Sequence, residues 1–236
     1  MIGVLSVWRR EVREWGDHLL PAASVSVFLL GVGAATLWYD DLLLTGRSDL
    51  RGALHWMSAA LVLWVPALTM RSLSEELRPE GPLQALPLSS GEVAIGKWLG
   101  AVSLIAVGLA LTAGWPLSLA WWGELDWGPV AGGYLGLLLE GGALAAIGLA
   151  ASASTRSGAL AWLLTLAVGA VPWVGGLALG RLPEAWVPLA QYATFEWHAA
   201  NLAAGALDSR SVIFFGGLTI LSLRLSATLL EHRRLW

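Results

Sequence analysis

The sequence predicts an all-α membrane protein: six transmembrane helices, an amphipathic interfacial helix before them at 1–18, and a short cytoplasmic helix in the loop at 71–97. Three observations predict it. Charged residues make up 13% of the 236 residues, about half the share usual in soluble domains. Hydrophobic residues make up 56%, and mean hydropathy is +0.66. Uncharged runs close to the ~20 residues of a bilayer crossing occur six times. This balance excludes a disordered or nucleic-acid-binding chain, and a soluble enzyme would need more polar cover. With no cysteine, disulfides and thiolate metal sites are excluded.

The first element follows from periodicity. Val4, Trp8, Val12, Trp15 and Leu19 recur every three to four residues, with Arg9, Arg10, Glu11, Arg13, Glu14 and Asp17 between them. That pattern suits a helix lying along a membrane surface. These charges, and a following apolar run of full spanning length, do not read as a cleavable signal peptide. The spans fall at 19–39, 53–70, 98–122, 129–155, 157–180 and 211–230, within the single domain 19–236. Pro66, Pro116 and Pro172 lie inside spans and are expected to kink them.

The basic residues fix the orientation. Arg9, Arg10, Arg13, Arg71, Arg78, Lys97, Arg156, Arg224, Arg233 and Arg234 fall on one side, and Arg47, Arg51, Arg181 and Arg210 on the other. The positive-inside rule then places both termini in the cytoplasm. Lys97 and Arg224 are expected to snorkel to the interface. Trp38, Trp56, Trp98, Trp121, Trp122 and Trp127 read as an aromatic belt.

The loop at 71–97 is the richest soluble segment. Span 2 runs on as helix until Pro79, and Pro82 to Leu86 would form a short helix stopped by Pro87. Ser89 and Glu92 have capping-box spacing, so the next helix starts in the cytoplasm. Two readings stand: a solvated connector, or a helix held out to receive a push from a soluble partner. Gly91 to Trp98 nearly spells a phosphate-binding loop, but Trp98 stands where a hydroxyl must bind magnesium. The chain is therefore expected to hold no ATP of its own.

Glu140 is the one acid deep inside a span, where a charge costs about 2.5–3.5 kcal/mol on insertion scales. Gly132, Gly136 and Glu140 follow at intervals of four, so they share one helix face, and glycines there mark close helix approach. Glu140 is expected to face protein, in structural packing or in a translocation path. The outer loop at 181–210 is apolar enough to rest on or dip into the outer leaflet. Its Glu196 and His198 are not spaced for a metal and are expected to cap or pin the loop.

The ordered set Pro66-Ala-Leu-Thr-Met-Arg71-Ser-Leu-Ser-Glu75-Glu76, Gly81, Leu83, Pro87, Ser89 and Gly96-Lys97 resembles the ABC-2-type ABC transporter permeases, most of all the gliding-motility-type branch. So do Leu125 to Gly136, Ile147 to Ser152, Tyr192, Phe195, His198, Asn201, Gly205, Asp208, Arg210 and Leu229-Leu-Glu231. The resemblance covers nearly the whole chain. It implies a permease in a prokaryotic cytoplasmic membrane, paired with a second permease as homo- or heterodimer, and two cytoplasmic ABC ATPase subunits holding ATP and Mg. It makes Glu75, Glu76, Arg78, Gly81, Leu83 and Gln84 candidate ATPase contacts, with His198 and Asn201 in the outer loop. The chain departs from the family pattern where an extra residue precedes Gly81, Pro82 replaces Thr, Gln84 replaces Glu, and the stretch to Pro87 is shorter. The implied function is export coupled to a partner's ATPase; the alternative is a non-transporting, force-transmitting membrane subunit. An intramembrane enzyme lacks a second acid at the depth of Glu140.

Overall fold

A helix rises 1.5 Å per residue, so about 20 residues cross the hydrocarbon core of a bilayer. Six helices in the computed structural model of the chain are long and apolar enough to do so, the architecture of a multi-pass membrane protein. The structure describes residues 2–39, 50–74, 88–123, 125–178, 183, 185–205 and 208–234. In order, the helices are α1 (Ile2–Asp17), α2 (Leu19–Tyr39), α3 (Arg51–Thr69), α4 (Ser90–Leu111), α5 (Gly114–Trp122), α6 (Trp127–Ser154), α7 (Gly158–Ala178), α8 (Val187–Tyr192), α9 (Phe195–Ala203) and α10 (Ser209–Arg234). Glu75, Glu76, Arg78, Gly81, Leu83 and Gln84 lie outside the described residues, as does the expected short helix around them.

The helix α6 is the axis of the bundle. It packs against α3, α4, α7, α9 and α10, and every residue from Glu140 to Ala153 is buried. That stretch is mostly alanine and glycine, and small side chains let neighbouring helices approach closely. The surfaces of α2, α7 and α10 instead present Leu30, Val171 and Ile213, each about 70% exposed, as lipid-facing surfaces do.

Pro116 acts as expected. Its nitrogen cannot donate to the carbonyl of Thr112, and the α4–α5 helix breaks at Thr112–Ala113. The Thr112 hydroxyl donates to Leu109 O and meets the Tyr134 hydroxyl at 2.9 Å, fastening the break to α6. Pro66 and Pro172 lie within continuous helices. The Ser89–Glu92 capping box forms, and Gly91 to Trp98 are helical within α4.

Lys97 corrects an expectation. It does not snorkel; it is 6% exposed, and its Nζ donates to Glu11 Oε1 at 2.7 Å. The cause is α1, which packs along α4. A Cβ on Gly96 would sit 2.6 Å from Val7 Cβ, and one on Gly100 would sit 2.8 Å from Glu11 Cβ. The two glycines make the groove that α1 fills, and they bring the Glu11 carboxylate onto Lys97. Trp8 adds an indole hydrogen bond to Ser103 at 3.0 Å. Part of the amphipathic stripe of α1 is thus spent on protein. Trp98 differs likewise: its indole donates to Gly142 O at 2.8 Å, bonding α4 to α6. Trp38 and Trp121 do stand exposed, as belt residues would.

One end of the bundle has a small core of its own, formed by Val7, Leu73, Val93, Ala94, Leu149, Ala153 and Leu230. Leu73 opens the loop at 71–97, and Val93 and Ala94 lie just beyond Ser89 near its end. Both arms of the loop therefore share a core with the end of α6. Ser152 of α6 ties one arm directly. Its Oγ accepts from Leu73 N at 3.1 Å and Ser74 N at 3.0 Å, and donates to Met70 O at 3.2 Å.

Candidate functional site

At the opposite end of α6, three helices enclose a cavity of about 310 Å³. Helix α3 supplies Arg51, Leu54, His55 and Ser58, which share a face by their spacing of three and four. Gly133 and Leu137 come from α6, and Glu196, Ala199, Ala200, Ala203 and Ala204 from α9 and its end. The walls are mainly apolar, with polar groups at a few points, the usual composition of a small-molecule site.

Glu140 lies next along this face of α6. It is fully buried, and its Oε1 accepts a 2.8 Å hydrogen bond from Ser58 Oγ, which itself lines the cavity. Its Oε2 has no partner among the described residues. A buried carboxyl oxygen in that state costs free energy unless a further donor or acceptor reaches it. Glu140 thus faces protein, as its spacing with Gly132 and Gly136 implied. Nothing near Ser58 in sequence announces that it meets an acid 82 positions away.

The glycines hold α9 in place. A Cβ on Gly132 would stand 2.1 Å from the backbone oxygen of Leu202, and one on Gly136 would stand 3.2 Å from Leu202 Cδ1. The partner in the glycine groove is therefore α9, in the loop at 181–210. Just past the end of that helix stands Gly205, whose φ of +83° is reached readily only by glycine. His55 Nδ1 and Glu196 Oε1 stand 3.8 Å apart across the α3–α9 side of the cavity.

His198 anchors α9 from behind. It is fully buried and stacks on Phe214 at 4.1 Å, amid Tyr192, Phe195, Trp197 and Phe215. Its Nε2 lies 2.9 Å from Tyr192 O and its Nδ1 lies 3.0 Å from Ser211 Oγ. A carbonyl only accepts, so the neutral ring carries its proton on Nε2, and Nδ1 accepts from Ser211. The loop is pinned in this way to both α8 and α10. Asn201, half-buried on α9, makes no side-chain hydrogen bond among the described residues. Among the described residues no three His, Asp or Glu come together as a metal site would require.

Burial lowers the His198 pKa from its ordinary value, opposed by the Tyr192 hydrogen bond and the charge of Asp208. The unfolded chain therefore takes up this proton first as pH falls. Stability present above the ordinary histidine range is lost as pH drops through and below it. Thermal unfolding followed from about pH 7.5 to about pH 5 should show this decline, and His198→Gln should flatten it. Equal decline in both proteins would mean His198 is not the titrating group.

No protein-family model matches the sequence, and neither does any curated protein.

Proposed function

We propose that the chain is the membrane-spanning permease subunit of an ABC exporter. The loop at 71–97 faces the cytoplasm and is pressed by a separate ATPase subunit, which holds the ATP and Mg. Glu75, Glu76, Arg78, Gly81, Leu83 and Gln84 make that contact. The chain pairs with a second permease, α1 lies against the cytoplasmic face of the lipid, and this polypeptide carries out no covalent chemistry. The asymmetry of basic residues supports this orientation, and the ordered resemblance to ABC-2 permeases supports the partners.

One observation carries the mechanism: both arms of the loop are fastened to α6, and α6 lines the cavity at its other end. On one arm Ser152 binds the backbone of Met70, Leu73 and Ser74. On the other, Trp98 binds Gly142 O, and Val93 and Ala94 share a core with Leu149 and Ala153. A closely packed core shifts as a unit rather than deforming gradually. Displacement of the loop therefore moves α6, and with it Gly133, Leu137 and the Glu140–Ser58 pair relative to α9. The result is a change in the shape of the outer cavity.

Ser152→Ala tests the link. It leaves two buried N–H groups without their partner, at a cost of about 1–3 kcal/mol. In proteoliposomes holding the permease with its ATPase, the variant should still assemble. Its ATPase activity should no longer respond to the permease. Full response in an assembled Ser152→Ala complex would mean that force does not pass through this contact.

A further inference from the structure

A second cavity, of about 620 Å³, lies at the end of the bundle where α3 and α6 stop and α7 begins. It is lined by Met70, Arg71, Ser74, Arg156, Ser157, Gly158 and Ala159. Two arginines therefore line one space, and among the described residues no carboxylate lines it. Among the described residues neither Arg71 nor Arg156 makes an ion pair or a side-chain hydrogen bond.

The placement is built rather than incidental. The backbone carrying Arg71 is held by Ser152 through Met70, Leu73 and Ser74. The backbone carrying Arg156 is held by Thr155, whose hydroxyl meets Ala151 O and Ser157 O. Arg71 also crosses the start of α7: a Cβ on Gly158 would stand 3.2 Å from Arg71 Cγ and 3.8 Å from its Nε. Two like charges thus share a cavity with the positive end of a helix, whose first N–H groups lack helical partners. Left alone, this arrangement repels itself. An oxyanion offering several acceptor oxygens would satisfy both forks and the free N–H groups.

The geometry points to a binding site for a phosphate group, with Arg71 and Arg156 as its ligands. The group is either a phospholipid headgroup or free phosphate. Arg71 opens the loop at 71–97, so an occupied site would steady the base of that loop. The site does not depend on the transport reading.

The test is thermal unfolding of the full chain in micelles of a maltoside detergent, whose headgroup carries no phosphate. Inorganic phosphate added to these micelles should raise the midpoint if the free ion binds. If a headgroup is the ligand, micelles containing phosphatidic acid should raise it while inorganic phosphate does not. Either shift should need about tenfold more ligand in Arg71→Gln or Arg156→Gln and vanish in the double variant. Arg71→Lys should retain part of it, and the double variant Arg9→Gln, Arg13→Gln all of it. Without phosphate, in the maltoside micelles alone, Arg71→Gln should unfold no earlier than the natural protein, because a repulsion has been removed. No shift with either source, a shift that survives in the Arg71/Arg156 double variant, or earlier unfolding of phosphate-free Arg71→Gln would each overturn the site.

Discussion

Gly132→Ala should unseat α9. The added carbon would stand 2.1 Å from the backbone oxygen of Leu202, and backbone cannot turn aside as a side-chain tip can. Helix α9 must move outward, carrying Glu196, Ala199, Ala200 and Ala203 away from α3 and α6. The buried stack behind it, with Phe195 and His198, loses its fit. Overpacking usually costs about 1–3 kcal/mol, and a backbone collision belongs at the upper end. Two comparisons isolate the cause. Gly136→Ala meets only the Leu202 side chain, its Cδ1 at 3.2 Å and its Cβ at 3.3 Å, and should cost less. Gly31→Ala meets nothing within 4 Å and should be neutral or slightly stabilising. Equal unfolding midpoints for Gly132→Ala and Gly31→Ala would mean that α9 does not press on α6.

Leu83→Asp combined with Gln84→Asp should abolish stimulation of the proposed partner ATPase. The pair would place two carboxylates at the centre of the proposed contact, and loss of central contacts commonly costs more than 2 kcal/mol of binding. A fall of at least about tenfold in affinity for the ATPase is expected. Thermal stability of the chain alone should hold, since the core that fastens the loop uses Leu73, Val93 and Ala94 instead. Arg210→Asp, at the other end of the bundle, should leave stimulation intact. Normal stimulation by the Leu83/Gln84 variant would remove the loop from the coupling route.

Much of this architecture was legible in the residues. The six spans follow from uncharged runs, and the start of α4 follows from Ser89 and Glu92. The break in the third span follows from Pro116, and the inward face of Glu140 from its spacing with Gly132 and Gly136. These are local signals, each contained within a few helical turns. What stayed hidden are the long-range pairs. Glu11 and Lys97 stand 86 positions apart, so Lys97 read as an interfacial cation until α1 was seen lying in the groove of Gly96 and Gly100. Ser58 and Ser152 are ordinary small residues for membrane helices. Their roles arise from what the fold places opposite them, Glu140 in one case and the backbone of Leu73 and Ser74 in the other. His198 lies between these extremes. Its part in pinning the loop at 181–210 was expected, while its partners Tyr192 and Ser211 emerge only when α8, α9 and α10 meet.

The chain contains no cysteine, so Gln84→Cys gives it a single thiol within the proposed ATPase contact. Intact cells carrying this variant should resist a membrane-impermeant maleimide, inside-out vesicles should be labelled by it, and a short thiol cross-linker should join the permease to its ATPase. Labelling from outside the cell, or an assembled complex whose cross-links to the ATPase all arise elsewhere on the permease, would contradict a loop gripped from the cytosol.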